Sequence, residues 1–141
     1  MVITARAYAE GTAAGHAIVL AEPLSFWGGV DVATGRIIDH SHPDLGTILS
    51  ECVLVMPGAR GSSSSSSVFA ESIRRGTGPA AVVLAVVDPI LTVGALVAHS
   101  LYGLHCPVVV CAIGPFRTGQ HLRVQATGSG EAQIQIGEIP G

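Results

Sequence analysis

Six consecutive serines, Ser62 to Ser67, follow Arg60 and Gly61 in the stretch "PGARGSSSSSSVFAESIRRG". A serine hydroxyl is a poor base or nucleophile until it is deprotonated, and it needs positive charge or aligned dipoles beside it to reach that state. Arg60 supplies a permanent cation whose planar fork matches a carboxylate. Gly58 and Gly61 let the backbone approach a ligand closely. If the chain turns helical within the run, the unpaired N–H groups of the first turn and the positive end of the macrodipole add a further preference for anions. These residues suit an anion or substrate site, or a serine oxygen with alkoxide character; a purely structural serine cap remains open beside both.

Two better-known loops are excluded by spacing. "GARGSSSS" has no lysine after its second glycine, so the phosphate-cradling P-loop lacks the residue that reaches the terminal phosphates. No GxSxG elbow is present, which leaves a Ser-His-Asp hydrolase without its nucleophile turn.

Further side chains group around glycine-rich or His-rich turns. "SFWGGVD" places Ser25, Trp27, Gly28 and Gly29 together with Asp31; an aromatic beside paired glycines suits a pocket lip or an interface contact, and a hydrophobic anchor on a tight turn is the plainer alternative. In "HSHPD", His40 and His42 would share one face of a strand, but further ligands at suitable spacing are lacking, so no metal is assigned to this chain. Asp88, ahead of Pro89, reads as a helix cap. Cys52, Cys106 and Cys111 lie in or beside apolar runs; three is an odd number for a disulfide framework, and buried, reduced thiols are expected.

These residues must be positioned by elements that the pattern of apolar residues suggests. Short strands are expected near 2–9, 16–20, 35–38 and 51–56, the last a continuous apolar run of the kind buried on both faces. After the serines, Val68, Phe69, Ser72, Ile73 and Gly76 fall on one helical face. "PAAVVLAVV" then reads as a buried strand, and Asp88 and Pro89 open a second helix whose stripe is Ile90, Val93, Val97 and Leu101, ending at Gly103. "CPVVVCAIG" gives a further buried strand, and "HLRVQATG" and "EAQIQIG" a hairpin turning at residues 128–130. The fold class expected is α/β: one domain spanning 1–141, a β-rich body with two main helices over parallel central strands. In that arrangement the serine run joins a strand to a helix of the same core. Such junctions are short, so the run is a poor candidate for a linker, and several serines must lie in the first helical turn.

Composition limits the partners. The 141 residues carry a net charge of −3, seven scattered arginines and no lysine, and 4% aromatics. That offers neither a phosphate-tracking groove nor a stacking platform, so nucleic acid is not an expected partner. Neither a membrane span nor a secretory leader is legible, and a cytoplasmic location is expected. The arginine-only, Ala-, Gly- and Val-rich composition resembles that of GC-rich bacteria and lacks the Lys/Glu enrichment of hyperthermophiles.

"LSFWGGVDVATGRIIDHSHPDLG", "VLVMPGARGSSSSSSVFAESIRRGTGPAAVVL" and "VVDPILTVGALVAHSLYGLHCPVV" together resemble the small, swivel-domain subunit of aconitase X. The resemblance covers roughly residues 11–110 and implies the swivelling β/β/α fold of the aconitase superfamily. It also implies a separate large subunit that carries an iron–sulfur cluster and most of the substrate pocket. In aconitase-type enzymes the swivel domain bears a Gly-Ser-Ser loop whose first serine, as alkoxide, removes the proton beside a substrate carboxylate while cluster iron acts as Lewis acid on the departing hydroxyl. Carried onto this sequence, Gly61-Ser62-Ser63 matches the loop: Ser62 would be the catalytic base, Ser63 and Ser64 its substrate-contacting neighbours, and Arg60 the carboxylate partner. The aconitase loop continues with an arginine and a glutamate where Ser64 and Ser65 stand here, so those charges would have to come from Arg60 or from the large subunit.

The resemblance implies a hydro-lyase subunit, inactive without its partner and acting on a small hydroxy acid. Two substrates compete within the family, cis-3-hydroxy-L-proline and mevalonate 5-phosphate, and the bacterial-looking composition favours the first. A non-catalytic anion-binding module is the alternative of another class. A phosphohistidine carrier, which shares the swivelling architecture, would need a histidine between residues 58 and 67, where none stands.

Overall fold

The computed structural model describes residues 1–137; the last four residues of the expected single domain, 138–141, lie outside the described residues. Nine strands and three helices follow in the order β1 (Val2–Ala9), β2 (Gly11–Val19), α1 (Phe26–Gly29), β3 (Val30–Asp31), β4 (Arg36–Ile37), β5 (Val53–Met56), α2 (Ser64–Arg75), β6 (Ala81–Leu84), α3 (Pro89–Tyr102), β7 (Val108–Val110), β8 (His121–Ala126) and β9 (Glu131–Ile136). Seven strands close into a barrel in the order β1-β7-β6-β5-β2-β8-β9, and β3 and β4 form a separate ribbon. β2, β5, β6 and β7 are mutually parallel neighbours; β1, β8 and β9 complete the barrel through antiparallel pairs. The α/β expectation, with two main helices over parallel central strands, holds.

The strand sequences explain which wall each belongs to. Val53, Val55 and Val83 point into the barrel with Leu122, Val124 and Ile134, whereas Leu54, Met56, Val82 and Leu84 face outward into a second core shared with Phe69 and Leu91. Strands with cores on both faces read as unbroken apolar runs, which is why β5 and β6 are fully buried. β8 and β9 have solvent outside and alternate between exposed and buried residues, with only Ile136 at the end of β9 partly buried. Their turn occupies residues 127–130, as expected.

Helix boundaries follow the capping chemistry. The Asp88 carboxylate accepts hydrogen bonds from the N–H groups of Ile90 (2.9 Å) and Leu91 (3.0 Å), Pro89 opens α3, and Gly103 closes it in the left-handed region. α2 starts inside the serine run and ends at Gly76.

Three expectations are corrected. The strand near 16–20 starts five residues earlier, because Gly11 through His16 pair with β8 despite being small and weakly strand-forming; Gly15 also lies so close to β5 that a Cβ there would sit 2.6 Å from the Glu51 carbonyl oxygen. The run 79–87 is a strand only over Ala81–Leu84, and Val86 and Val87 emerge onto the surface. Most consequentially, the face of α3 that packs inward is Leu91, Gly94, Ala95 and Ala98, and the Val93, Val97 and Leu101 stripe faces out. The cause is the proximity of α2: a Cβ on Gly94 would lie 2.7 Å from the Ser66 carbonyl oxygen and 2.9 Å from Phe69 Cδ2. Around Gly94 only small residues fit between the two helices, so Val93, Val97 and Leu101 are turned outward. Gly94→Val is therefore expected to lower stability by about 2 kcal/mol or more in urea unfolding, because overpacking forces α2 and α3 apart.

Candidate active site at one rim of the barrel

Because β2, β5, β6 and β7 run parallel, their carboxyl ends lie at the same rim, and so do the segments that leave them. Residues 20–29 follow β2, the serine loop follows β5 and Val86–Asp88 follows β6. This is the edge at which open α/β sheets place their ligand sites. Two residue groups far apart in sequence, Ser25–Gly29 and Arg60–Ser65, are thereby brought into contact.

Backbone pairing fixes that contact first. Leu24 and Ala59 form a parallel bridge, and the Arg60 N–H donates to the Leu24 carbonyl at 3.3 Å. Side chains then lock it. Ser65, only 2% exposed, accepts from the Trp27 N–H at 3.3 Å and lies 3.4 Å from the Ser25 hydroxyl, which donates to the Trp27 carbonyl at 3.0 Å. With the Ser65 hydroxyl donating to Ser25, the three groups close a small ring of hydrogen bonds beneath the loop. Phe26 packs on Phe69 of α2 with ring centroids 4.9 Å apart, anchoring the segment from below.

Gly61 sits directly on this ring at φ +115°, a conformation L side chains rarely adopt. A Cβ there would clash with the Ser25 hydroxyl and stand 2.9 Å from that of Ser65. The glycine ahead of Ser62 is thus required twice, by its backbone angle and by the space. Beyond it, Ser62, Ser63 and Ser64 are exposed, and α2 begins at Ser64. Ser63 occupies the cap position but its side chain makes no capping bond; the Ser62 hydroxyl accepts instead from the Ser64 N–H at 3.3 Å. The N–H groups of Gly61, Ser62 and Ser63 meet no hydrogen-bond acceptor among the described residues. Together with the helix macrodipole they leave free donors on the turn that carries Ser62.

Arg60 is exposed, and its guanidinium forms no hydrogen bond or ion pair among the described residues. Asp39 lies nearby across the lip, its Cβ 3.9 Å from where a Cβ on Gly29 would be. Its carboxyl is held below the usual range mainly by the Ser41 hydroxyl at 2.7 Å and N–H at 2.9 Å, with a smaller contribution from the charge of Arg60. Trp27, 60% exposed, interrupts the helical geometry of α1 with Gly28 at φ +78° and stands on the lip beside the serine loop.

The histidines of "HSHPD" separate. His42 is buried, its Nδ1 accepting from the Asp44 N–H at 3.0 Å and its Nε2 placed to donate to the Glu22 carbonyl at 3.3 Å; it braces the loop that follows β2. His40 is on the exposed turn.

The thiols of this chain do not fit cluster ligation. Cys52 and Cys106 are buried in the helix-facing core, where burial pushes each thiol up to about 12, and the Cys106 Sγ donates to the Pro79 carbonyl at 3.5 Å. Cys111 packs against the barrel interior, and its thiol is likewise raised by burial. A ligand must be a thiolate, and these sites keep the neutral form. Among the described residues no three His, Cys, Asp or Glu side chains converge on a point that could hold a metal ion, and no helix there is long and apolar enough to cross a membrane.

The residue that inspection of the sequence missed is Ser65. Its signal was available: Ser65, Phe69 and Ser72 are four and seven apart, the spacing of one helical face, and all three are buried.

With this geometry in place, comparison with known proteins identifies the relatives. The aconitase X swivel domain family matches residues 2–134. The chain belongs to that family. It is 40% identical over 133 residues to a cis-3-hydroxy-L-proline dehydratase of Hypocrea jecorina, covering 94% of this chain and 22% of that protein. It is 40% identical over 98 residues to the phosphomevalonate dehydratase small subunit of Methanothermobacter thermautotrophicus, covering 70% and 75%. Its fold superposes on the crystal structure of Thermococcus kodakaraensis aconitase X (holo-form) with a TM-score of 0.83 and 30% identity, covering 96% of this chain and 98% of that one. The chain spans about a fifth of the length of the hydroxyproline dehydratases it matches.

Two outcomes follow for the aconitase X swivel domain. Ser65→Ala leaves the part-buried Trp27 N–H without an acceptor and is expected to cost about 1 kcal/mol in urea unfolding. The buried thiols predict an alkaline weakness. Above pH ~9 the unfolded chain loses thiol protons that the native state keeps, so the native state binds more protons and stability falls as pH rises towards 12, by at most about 1.4 kcal/mol per pH unit for each thiol. Urea titrations at pH 8 and 10 of the protein and of a Cys52→Ala/Cys106→Ala variant, whose slope should flatten, measure it.

Proposed function

We propose that this chain is the small subunit of a two-chain aconitase X hydro-lyase in which Ser62 is the base that removes the proton beside a substrate carboxylate. The observation that carries the reading is the clamped Gly61–Ser62 turn: an exposed hydroxyl at a helix start, on a turn with free N–H donors and two residues after an arginine whose guanidinium is unpaired among the described residues. The donors lower the proton affinity of the Ser62 oxygen, and Arg60 binds the carboxylate whose neighbouring carbon loses the proton. Ser63 and Ser64 offer hydroxyls to the bound substrate from the same turn. Trp27 and the paired glycines form the edge of the pocket. The iron–sulfur cluster implied by the family resemblance belongs to the large subunit, consistent with the neutral buried thiols here.

For the substrate we favour cis-3-hydroxy-L-proline, the substrate named for the Hypocrea jecorina and Pseudomonas aeruginosa relatives at 40% and 42% identity. A second reading has a specific support: the relatives that share this chain's length are phosphomevalonate dehydratase small subunits, of which the chain covers up to 96%. The two readings predict different activities for one preparation. The chain co-purified with its large subunit is expected to dehydrate cis-3-hydroxy-L-proline, and turnover of mevalonate 5-phosphate alone would reverse the choice. Ser62→Ala should leave the complex assembled and reduce dehydration by about 10²–10⁴-fold. Near-normal turnover would remove Ser62 from the mechanism and favour an anion-binding role for the loop.

A further inference from the structure

Helix α3 is unusual for a surface element. From Pro89 to Tyr102 it carries no Asp, Glu, Lys or Arg. Apart from Leu91 its inward face is made of small residues, and Val93, Val97 and Leu101 form an outward stripe at four-residue spacing, with Val93 48% and Leu101 67% exposed. A helix that is apolar on every side belongs in an interior. Here the second side has no covering element within the described residues.

Two exposed valines lead from the rim that holds the serine loop into α3. Val86 and Val87, 57% and 51% exposed, precede α3, and Val86 Cγ2 would lie 3.2 Å from a Cβ on Gly58, where the serine loop starts. Trp27 flanks the loop on its other side through its bond to Ser65. The polar loop is therefore bordered by exposed apolar residues, the pattern of an interface that excludes water around a polar centre.

We propose that the outer face of α3, with Val86 and Val87, is the surface on which the large subunit docks, extending the contact from the catalytic rim along the length of the helix. This rests on the two-chain reading above. The relatives supply the occupant: in the Hypocrea jecorina and Pseudomonas aeruginosa proteins about four-fifths of the chain lies outside the matched part, mass available to cover such a face, and relatives nearer this chain's own length are named small subunits. A second copy of this chain fits less well, because a symmetric pairing that buries Val86 would press the serine loop against its own copy and leave substrate no access.

The test uses the whole chain and the aconitase X large subunit of the same genome. Val93→Glu/Val97→Glu places two charges on the outward stripe, which should leave circular dichroism and melting temperature of the isolated chain nearly unchanged and weaken large-subunit binding more than about tenfold in a titration. A fluorophore on Val97→Cys, read in the otherwise unaltered chain, should shift to the emission of a dry site when the large subunit is added. Binding unaffected by the two charges, or a fluorophore that stays wet, overturns the docking surface and leaves the two-chain reading standing. Self-association of the isolated chain that the charges abolish, with large-subunit binding intact, assigns the face to a second copy and overturns it as well. No complex with the unaltered chain removes the two-chain reading and the surface together.

Discussion

Parallel pairing of β2, β5, β6 and β7 is the constraint on which the rest depends. Parallel strands need crossover connections, and each crossover here must leave from the same rim. The loop after β2 and the loop after β5 are neighbours because β2 and β5 are hydrogen-bonded neighbours, with Ala17 through Val19 opposite Val53 through Val55. Nothing in either loop has to find the other. The Leu24–Ala59 bridge extends the β2–β5 pairing past the barrel edge, and the Ser25, Trp27 and Ser65 bonds finish what the sheet began. The local geometry of the serine turn is thus inherited from backbone pairing, which persists however the side chains at the rim are exchanged.

Small residues set how closely the elements approach, and they set it at the two places that matter to the site. Between the helices, Gly94, Ala95 and Ala98 let α3 press on α2, holding the first turn of α2 down at the rim. Beneath the loop, Gly61 lets the backbone settle onto the hydroxyls of Ser25 and Ser65. The consequence of the first choice is the exposed apolar stripe of α3; the consequence of the second is that Ser62, immediately after a glycine at positive φ, is lifted clear of the helix it introduces.

The fold was legible where one physical requirement dominates a segment. Runs buried on both faces, the Asp88–Pro89 cap, and the alternation of β8 and β9 each have a single explanation, and the strand order β5, α2, β6, α3, β7 follows from them. Legibility failed where two requirements compete. Apolar residues at helical spacing on α3 satisfy the pattern of a core face, but the closeness of α2 rewards small side chains, and only the three-dimensional neighbour reveals that. β2 begins among Gly and Ala because its partner β8 supplies the pairing that its own residues do not favour. In the site, Arg60 and Gly61 were visible by residue type, Ser62 only through the family resemblance, and Ser25 and Trp27 by the glycines beside them. That the two groups touch was not visible, since 40 residues separate Ser25 from Ser65 and the barrel alone joins them. Ser65 was obscured by its five identical neighbours, although helical periodicity distinguishes it from them.

The exposure of the Ser62 hydroxyl bears on why a domain of this design would need a partner. Donors around an oxygen lower its proton affinity strongly only where water is absent, because water both screens the dipoles and competes for the same hydrogen bonds. In the chain alone Ser62 is open to solvent, and the N–H groups of Gly61 to Ser63 are free for water to occupy. Much of the preorganisation is already present: the turn is fixed by Gly61 and the Leu24–Ala59 bridge, and the ring of hydrogen bonds beneath it is closed. On the proposed reading, what remains to be supplied is dryness, and the exposed Trp27, Val86 and Val87 are the residues a covering surface would meet. On the two-chain reading proposed above, rigid donors on one chain and exclusion of water by another would divide the work so that the serine is an ordinary alcohol until the two meet.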